Sequence, residues 1–248
     1  MTTATRAPAL RFSGVTKQFA GGTMALADAS LQVAPGEFVS VVGPSGCGKS
    51  TLLRIASGLD GITAGSVEVG TKRLGYVFQD ATLLPWRSAL ENVRLPLEVG
   101  PKKRDRVGLK TPEELLRLVG LAGREHALPH ELSGGMRHRV AIARALVSEP
   151  RVLLMDEPFG ALDEITRDTL NEELLRIWRE TGTTILFVTH SIPEAVFLSE
   201  RVLVLATNPG RVRELVACEL PYPRPLSVRE TPEFIRIASH LRALLQSC

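Results

Sequence analysis

Gly43-Pro44-Ser45-Gly46-Cys47-Gly48-Lys49-Ser50-Thr51 follows the β-branched run Phe38-Val39-Ser40-Val41-Val42 and leads into Leu52-Leu53-Arg54-Ile55-Ala56, an apolar stretch compatible with a helix. The order is strand, glycine loop, helix. It fits G-x-x-x-x-G-K-[ST], in which successive backbone N–H groups and a helix N-terminus form a concave anion site. Gly43, Gly46 and Gly48 permit backbone shapes and a phosphate approach that a Cβ would hinder, Lys49 adds a point charge, and Ser50 offers a hydroxyl to Mg²⁺. A nucleoside triphosphate is the expected ligand. A chance match at the four fixed positions has odds on the order of one in a hundred for average residue usage, and the flanking strand and helix lower it further.

Far downstream, Val152-Leu153-Leu154-Met155 ends in Asp156-Glu157-Pro158, as expected of a buried parallel strand with carboxylates at its ligand-facing end. Phosphoryl transfer needs such a pair: Asp156 to hold Mg²⁺, Glu157 to orient or deprotonate water. Thr183 to Val188 reads as a second such strand, ending near His190, which is placed to donate to a terminal phosphate; Arg201 to Leu205 reads as a third. Asp168 to Glu180 reads as the helix between the first two. Cys47, beside Lys49 at a helix N-terminus, is expected to be a reactive thiol.

The 248 residues are 44% apolar and carry a formal net charge of +3 with both signs interspersed. That supports a real core and argues against disorder and against a dedicated nucleic-acid face. Cys47, Cys218 and Cys248 form no C-x-x-C pair, so neither a disulfide framework nor structural zinc is expected, and a reducing cytosol fits. Met1 to Leu10 has no apolar signal region and no stretch reaches the ~18 apolar residues of a spanning helix.

Leu10 to Ala34 reads as an N-terminal antiparallel β flap, with Ser66 to Phe78 adding further strands. From about residue 80 to 150 the pattern is helical, with Leu115, Leu116, Val119 and Leu121 as one apolar stripe: an inserted helical subdomain. Its basic stretch Val99 to Thr111 reads as a solvated loop. After Glu219 a short C-terminal extension holds one helix, with Thr231-Pro232 as N-cap and N1 and Phe234, Ile237, Leu241, Leu244 and Leu245 on its apolar face. The expectation is one α/β domain over residues 1–248, a P-loop NTPase core with a mostly parallel sheet and a single nucleotide site.

Leu132-Ser133-Gly134-Gly135-Met136 adds what physics alone would not supply. With it, the chain resembles an ABC-transporter ATPase subunit over nearly its whole length: GPSGCGKST as Walker A, Gln79 as the Q-loop, LSGGM as the signature, VLLMDE as Walker B, Ala161-Leu162-Asp163 as the D-loop and His190 as the H-loop. The resemblance implies two copies sandwiching two ATP molecules, with Ser133 and Gly135 of one copy touching the γ-phosphate bound by Lys49 of the other. It implies that Gln79 senses Mg²⁺ and water, that Asp163 serves the nucleotide site, and that Phe19, chosen over Phe12 by position, stacks on adenine. Met136 and His138 depart from the family's frequent Gln at both places without removing a phosphate-facing atom.

Leu83-Leu84-Pro85-Trp86-Arg87, Glu91-Asn92-Val93, Asp156 to Arg167 and Pro221 to Pro225 are similar to the nitrate, sulfonate and taurine importer branch. That resemblance implies a separate integral membrane permease docked near Trp86, a periplasmic or extracellular solute-binding protein acting indirectly, and a place on the cytoplasmic face of the membrane. Trp86 reads either as that contact or as a plain core aromatic. The competing readings are a soluble ABC protein acting on ribosomes or DNA, which usually carries two cassettes or a coiled-coil insertion, and a phosphate-loop kinase or GTPase, which has no use for LSGGM.

Overall fold

The computed structural model describes residues 7–99, 110–160 and 162–247; the stretch 100–109, within the expected basic loop, and Ala161 lie outside the described residues. The chain begins with the hairpin β1 (Leu10–Gln18) and β2 (Met24–Val33), then β3 (Phe38–Val42), α1 (Lys49–Ala56), β4 (Ala64–Val69) and β5 (Leu74–Val77). Helices α2 (Ala89–Val99), α3 (Pro112–Leu118) and α4 (Gly134–Leu146) follow. The remainder is β6 (Val152–Asp156), α5 (Glu164–Thr181), β7 (Thr184–Val188), α6 (Ile192–Leu198), β8 (Arg201–Ala206), β9 (Arg211–Ala217) and α7 (Pro232–Gln246).

Two sheets result. One is antiparallel, ordered β2-β1-β4; the other has six strands, ordered β5-β6-β7-β3-β8-β9, parallel except for β9. The expected strands at Val152, Thr183 and Arg201 all join the loop-bearing strand in this sheet as β6, β7 and β8, whereas β9 and α6 have no counterpart in the sequence reading. The reading of Ser66 to Phe78 as flap strands needs correction, since only β4 joins the flap. Strand β5 pairs in parallel with β6 as the edge of the large sheet, Leu74 opposite Val152. Gly75 makes this possible, because a Cβ there would meet Leu153 Cδ1 at 2.9 Å and the Ala145 carbonyl at 3.1 Å.

The parallel strands are buried on both faces, as near-continuous apolar runs require. Alternate side chains enter two cores: Val39, Val41, Val152 and Leu154 join α1 and the flap sheet, while Phe38, Leu153, Met155 and Phe187 join the helices. Trp178 on α5 packs edge-on against Phe38, with ring centroids 5.7 Å apart, and donates through Nε1 to the Gly36 carbonyl at 3.0 Å. That fixes the turn from which β3 starts. At the C-terminal end Thr231 caps α7 by accepting from Phe234 N, and Phe234, Ile237 and Leu241 are buried. The buried Arg224 donates to the carbonyls of Val196, Phe197, Ser199, Cys218 and Leu220, tying the extension to the C-terminal end of α6, where a cation also complements the helix dipole.

Candidate functional site

The parallel register brings the ends of β3, β6 and β7 to one edge: Val41 lies opposite Val188, and Val188 opposite Asp156. Ligands of open α/β sheets bind outside this carboxyl end. A cavity of about 840 Å³ opens at the other end of the strands, beside Gly36, Arg73, Arg151 and Thr184, away from every motif.

The glycine loop is shaped by close backbone packing. A Cβ on Gly43 would meet Cys47 Sγ at 2.5 Å and the Leu205 carbonyl at 2.6 Å; one on Gly48, whose φ is +91°, would meet the Ala25 carbonyl at 2.6 Å. Helix α1 has no acidic residue in its first turn, so its positive end remains open to an anion. Lys49 is buried at the loop and donates to the carbonyls of Gly43 at 2.8 Å and Pro44 at 3.1 Å.

Ser50, at the start of α1, donates through its hydroxyl to Asp156 Oδ1 at 2.9 Å, and the Tyr76 hydroxyl lies 3.4 Å from Oδ2. Burial raises the pKa of Asp156 and, even more, that of the Tyr76 phenol. A half-buried carboxylate next to a hydroxyl is an all-oxygen donor set that suits Mg²⁺. Glu157 stands at φ 44°, a left-handed conformation held by its N–H donating to the Val188 carbonyl at 2.9 Å. Strain of this kind costs about 1–3 kcal/mol and gathers at functional sites. It brings Glu157 Oε2 within 3.1 Å of His190 Nδ1. Gln79 follows β5 and is exposed at the same edge.

Phe19, 42% exposed, occupies the turn of the β1–β2 hairpin with Lys17 Nζ 5.0 Å from its ring centre, while Phe12 is buried in the core and offers no face to a ligand. Ser133, Gly135 and Asp163 gather elsewhere. Ser133 caps α4 by accepting from Met136 N, Asp163 caps α5 by accepting from Thr166 N at 2.9 Å, and a Cβ on Gly135 would meet Thr166 Cγ2 at 2.8 Å.

Cys47 departs from expectation, because its thiol is fully buried rather than open at the loop. The loop's backbone, not this side chain, faces the anion. Alkylation of the native chain by iodoacetamide is therefore expected to be slow with or without nucleotide; rapid labelling, read by mass spectrometry, would contradict the burial. Sequence reasoning also missed two residues. Tyr76 was hidden by assigning its strand to the flap, and Gly210, where a Cβ would meet the Cys47 carbonyl at 2.2 Å, looked like any turn glycine.

A model of the family described as "ABC transporter" matches residues 26–160. An uncharacterized ABC transporter ATP-binding protein of Methanocaldococcus jannaschii is 45% identical, the match covering 96% of this chain and 91% of the relative. The aliphatic sulfonates import ATP-binding protein SsuB of Bacillus subtilis is 46% identical over 84% of this chain and 82% of its own. Among solved structures, a dimeric post-hydrolysis state of the ATP-binding cassette MJ0796 bound to ADP and phosphate has a TM-score of 0.72 at 34% identity, covering 86% of this chain and 100% of that one. CbiO1 of Clostridium perfringens, part of an ABC transporter complex, has a TM-score of 0.76 at 27% identity, covering 93% and 94%.

Proposed function

Since the chain belongs to the ABC transporter family and is an ATP-binding, ATP-hydrolysing protein, we propose that it energises an importer for a small anionic or zwitterionic solute of the nitrate, sulfonate or taurine type, through a separate permease. Among these solutes the sulfonate relatives favour a sulfonate. The observation that carries the transport reading is Trp86, 73% exposed, a few residues beyond Gln79. A large aromatic held in water has no folding use, whereas aromatics dominate interface hot spots. No helix among the described residues is long and apolar enough to cross a membrane, and in this reading the permease is a separate chain.

At the site, the loop N–H groups of residues 45–51 and Lys49 bind the phosphates, and Phe19 receives the adenine. Ser50, Asp156 and Gln79 would hold Mg²⁺, which when bound supplies positive charge against the triphosphate. Glu157 takes the proton of the attacking water, and His190, hydrogen-bonded to it, orients that carboxylate and reaches the γ-phosphate. Ser133 and Asp163 cap α4 and α5, and Gly135 packs on Thr166, an arrangement that fits their use against ATP held by a second copy. The N-terminus of α4, free of acidic side chains, is apt for a γ-phosphate.

Trp86→Ala is expected to leave ATP binding intact and to weaken the permease complex by ~2 kcal/mol, roughly thirtyfold. Co-purification from solubilised membranes measures it. Unchanged recovery of the permease would remove Trp86 from the interface, and recovery of ribosomes in place of a polytopic membrane protein would favour the soluble alternative.

A further inference from the structure

Helix α4 does more than present the signature. His138 is buried with its Nε2 3.1 Å from the Gln79 carbonyl oxygen and its Nδ1 3.0 Å from that of Gly134. Both facing atoms are acceptors and a neutral ring carries one N–H; assigned to Nε2, it donates to the Gln79 carbonyl, the partner outside the helix. Further along α4, Arg144 donates to the Ala81 carbonyl at 2.8 Å, to the Thr82 carbonyl at 2.9 Å and to Thr82 Oγ1 at 3.1 Å. Thr82 stands at φ 44°, a conformation that a β-branched residue keeps only when its surroundings hold it. The main chain of residues 79–82 is thus held by the helix that begins at Ser133, at three carbonyls and one hydroxyl.

We propose that His138 is a positioning residue for ATP hydrolysis, clasping the loop that carries Gln79 to the helix that carries Ser133 and Gly135 so that the two move as one body. This rests on the roles given above to Gln79 and Ser133. The Gln79 side chain is exposed, and its reach toward the phosphates is set by its main chain. Strand β5 fixes that chain on one side and Arg144 on the other; His138 fixes Gln79 itself. Without the clasp the loop samples conformations in which the amide misses its target, and each productive encounter requires ordering it again.

The test uses the full chain with His138→Leu, which keeps bulk and removes the ring nitrogens, and His138→Gln, whose amide N–H can again donate to the Gln79 carbonyl. For His138→Leu, kcat for Mg-ATP is expected to fall between about tenfold and about a hundredfold, as for other outer-shell partners, with KM within about twofold because the phosphate loop is untouched. His138→Gln is expected to recover most of kcat. Hydrogen–deuterium exchange of amides 79–84 should accelerate in His138→Leu and return toward wild type in His138→Gln, while α4 keeps its protection. Wild-type kcat in His138→Leu overturns the proposal, and so does a raised KM at unchanged kcat. Gln79→Ala separates this from the site assignment: if it hydrolyses ATP at the wild-type rate, the role of Gln79 fails, whereas a slow Gln79→Ala beside a wild-type His138→Leu sinks the clasp alone.

Discussion

Glu157→Gln is expected to bind ATP, to hydrolyse it roughly 10²- to 10⁴-fold more slowly, the range for loss of a positioned general base, and to accumulate as an ATP-bound dimer. Glutamine keeps the size of the side chain and an oxygen for His190 but cannot take a proton from water. The left-handed backbone at Glu157 is held by the main-chain bond to Val188, which the substitution leaves in place, so the effect falls on chemistry rather than folding. Ser50 and Asp156 stay joined at 2.9 Å, and Lys49 with the loop amides still meets the phosphates. Uncleaved γ-phosphate then keeps the signature of a second copy closed over it, which ADP cannot do. Asp156→Asn should behave differently, since it removes the charge of the half-buried carboxylate between Ser50 and Tyr76; weak Mg²⁺ placement and no lasting dimer are expected. Size-exclusion chromatography with Mg-ATP, at concentrations where the wild type is monomeric, reads both variants. Hydrolysis by Glu157→Gln at the wild-type rate would refute its assignment as the base, and a monomer with ATP demonstrably bound would count against a signature acting in trans.

What the sequence made legible, and what it hid, follows from how local each signal is. The glycine loop declares itself because strand, loop and helix are consecutive, and the carboxylates because an apolar run that ends in Asp-Glu leaves little choice of edge. Strand β5 was misplaced because Gly70 and Gly75 interrupt a run that alternates like β4, and the choice between the two sheets depends on β6, which is distant in sequence. The contacts of Tyr76 with Asp156 and of His138 with Gln79 belong to the same class: each joins elements whose neighbourhood is set by sheet order. Cys47 failed for a different reason. Its place beside Lys49 argued for reactivity, but the loop turns its backbone outward and its side chain inward, against Gly43 and Leu205.

Gly210→Ala is expected to damage the nucleotide site from outside every motif. The missing Cβ of Gly210 is what lets three backbones meet: it would lie 2.2 Å from the Cys47 carbonyl and 2.4 Å from the Ala25 carbonyl, while the Gly210 carbonyl accepts from Ala27 N at 2.8 Å. Both obstacles are main-chain atoms, so no rotamer change relieves them. Either the 207–210 turn moves away, breaking the bond to Ala27, or the glycine loop moves, and with it the amides that are to cradle phosphate. Overpacking of this kind costs ~1–3 kcal/mol, about 2–4 °C of Tm per kcal/mol for a chain this size. ADP affinity is expected to fall by at least about tenfold, since a shift in the loop misaligns several N–H donors together. Gly123→Ala is the comparison: its φ of +80° makes alanine strained, yet nothing lies within 4 Å of the added methyl and the position is outside the glycine loop, so it bears backbone strain of about 1 kcal/mol without collision. Thermal melts with and without ADP, together with an ADP titration, distinguish the two. Wild-type ADP affinity in Gly210→Ala, or an equal loss in Gly123→Ala, would show that the wall of backbone behind Cys47 does not set the shape of the loop.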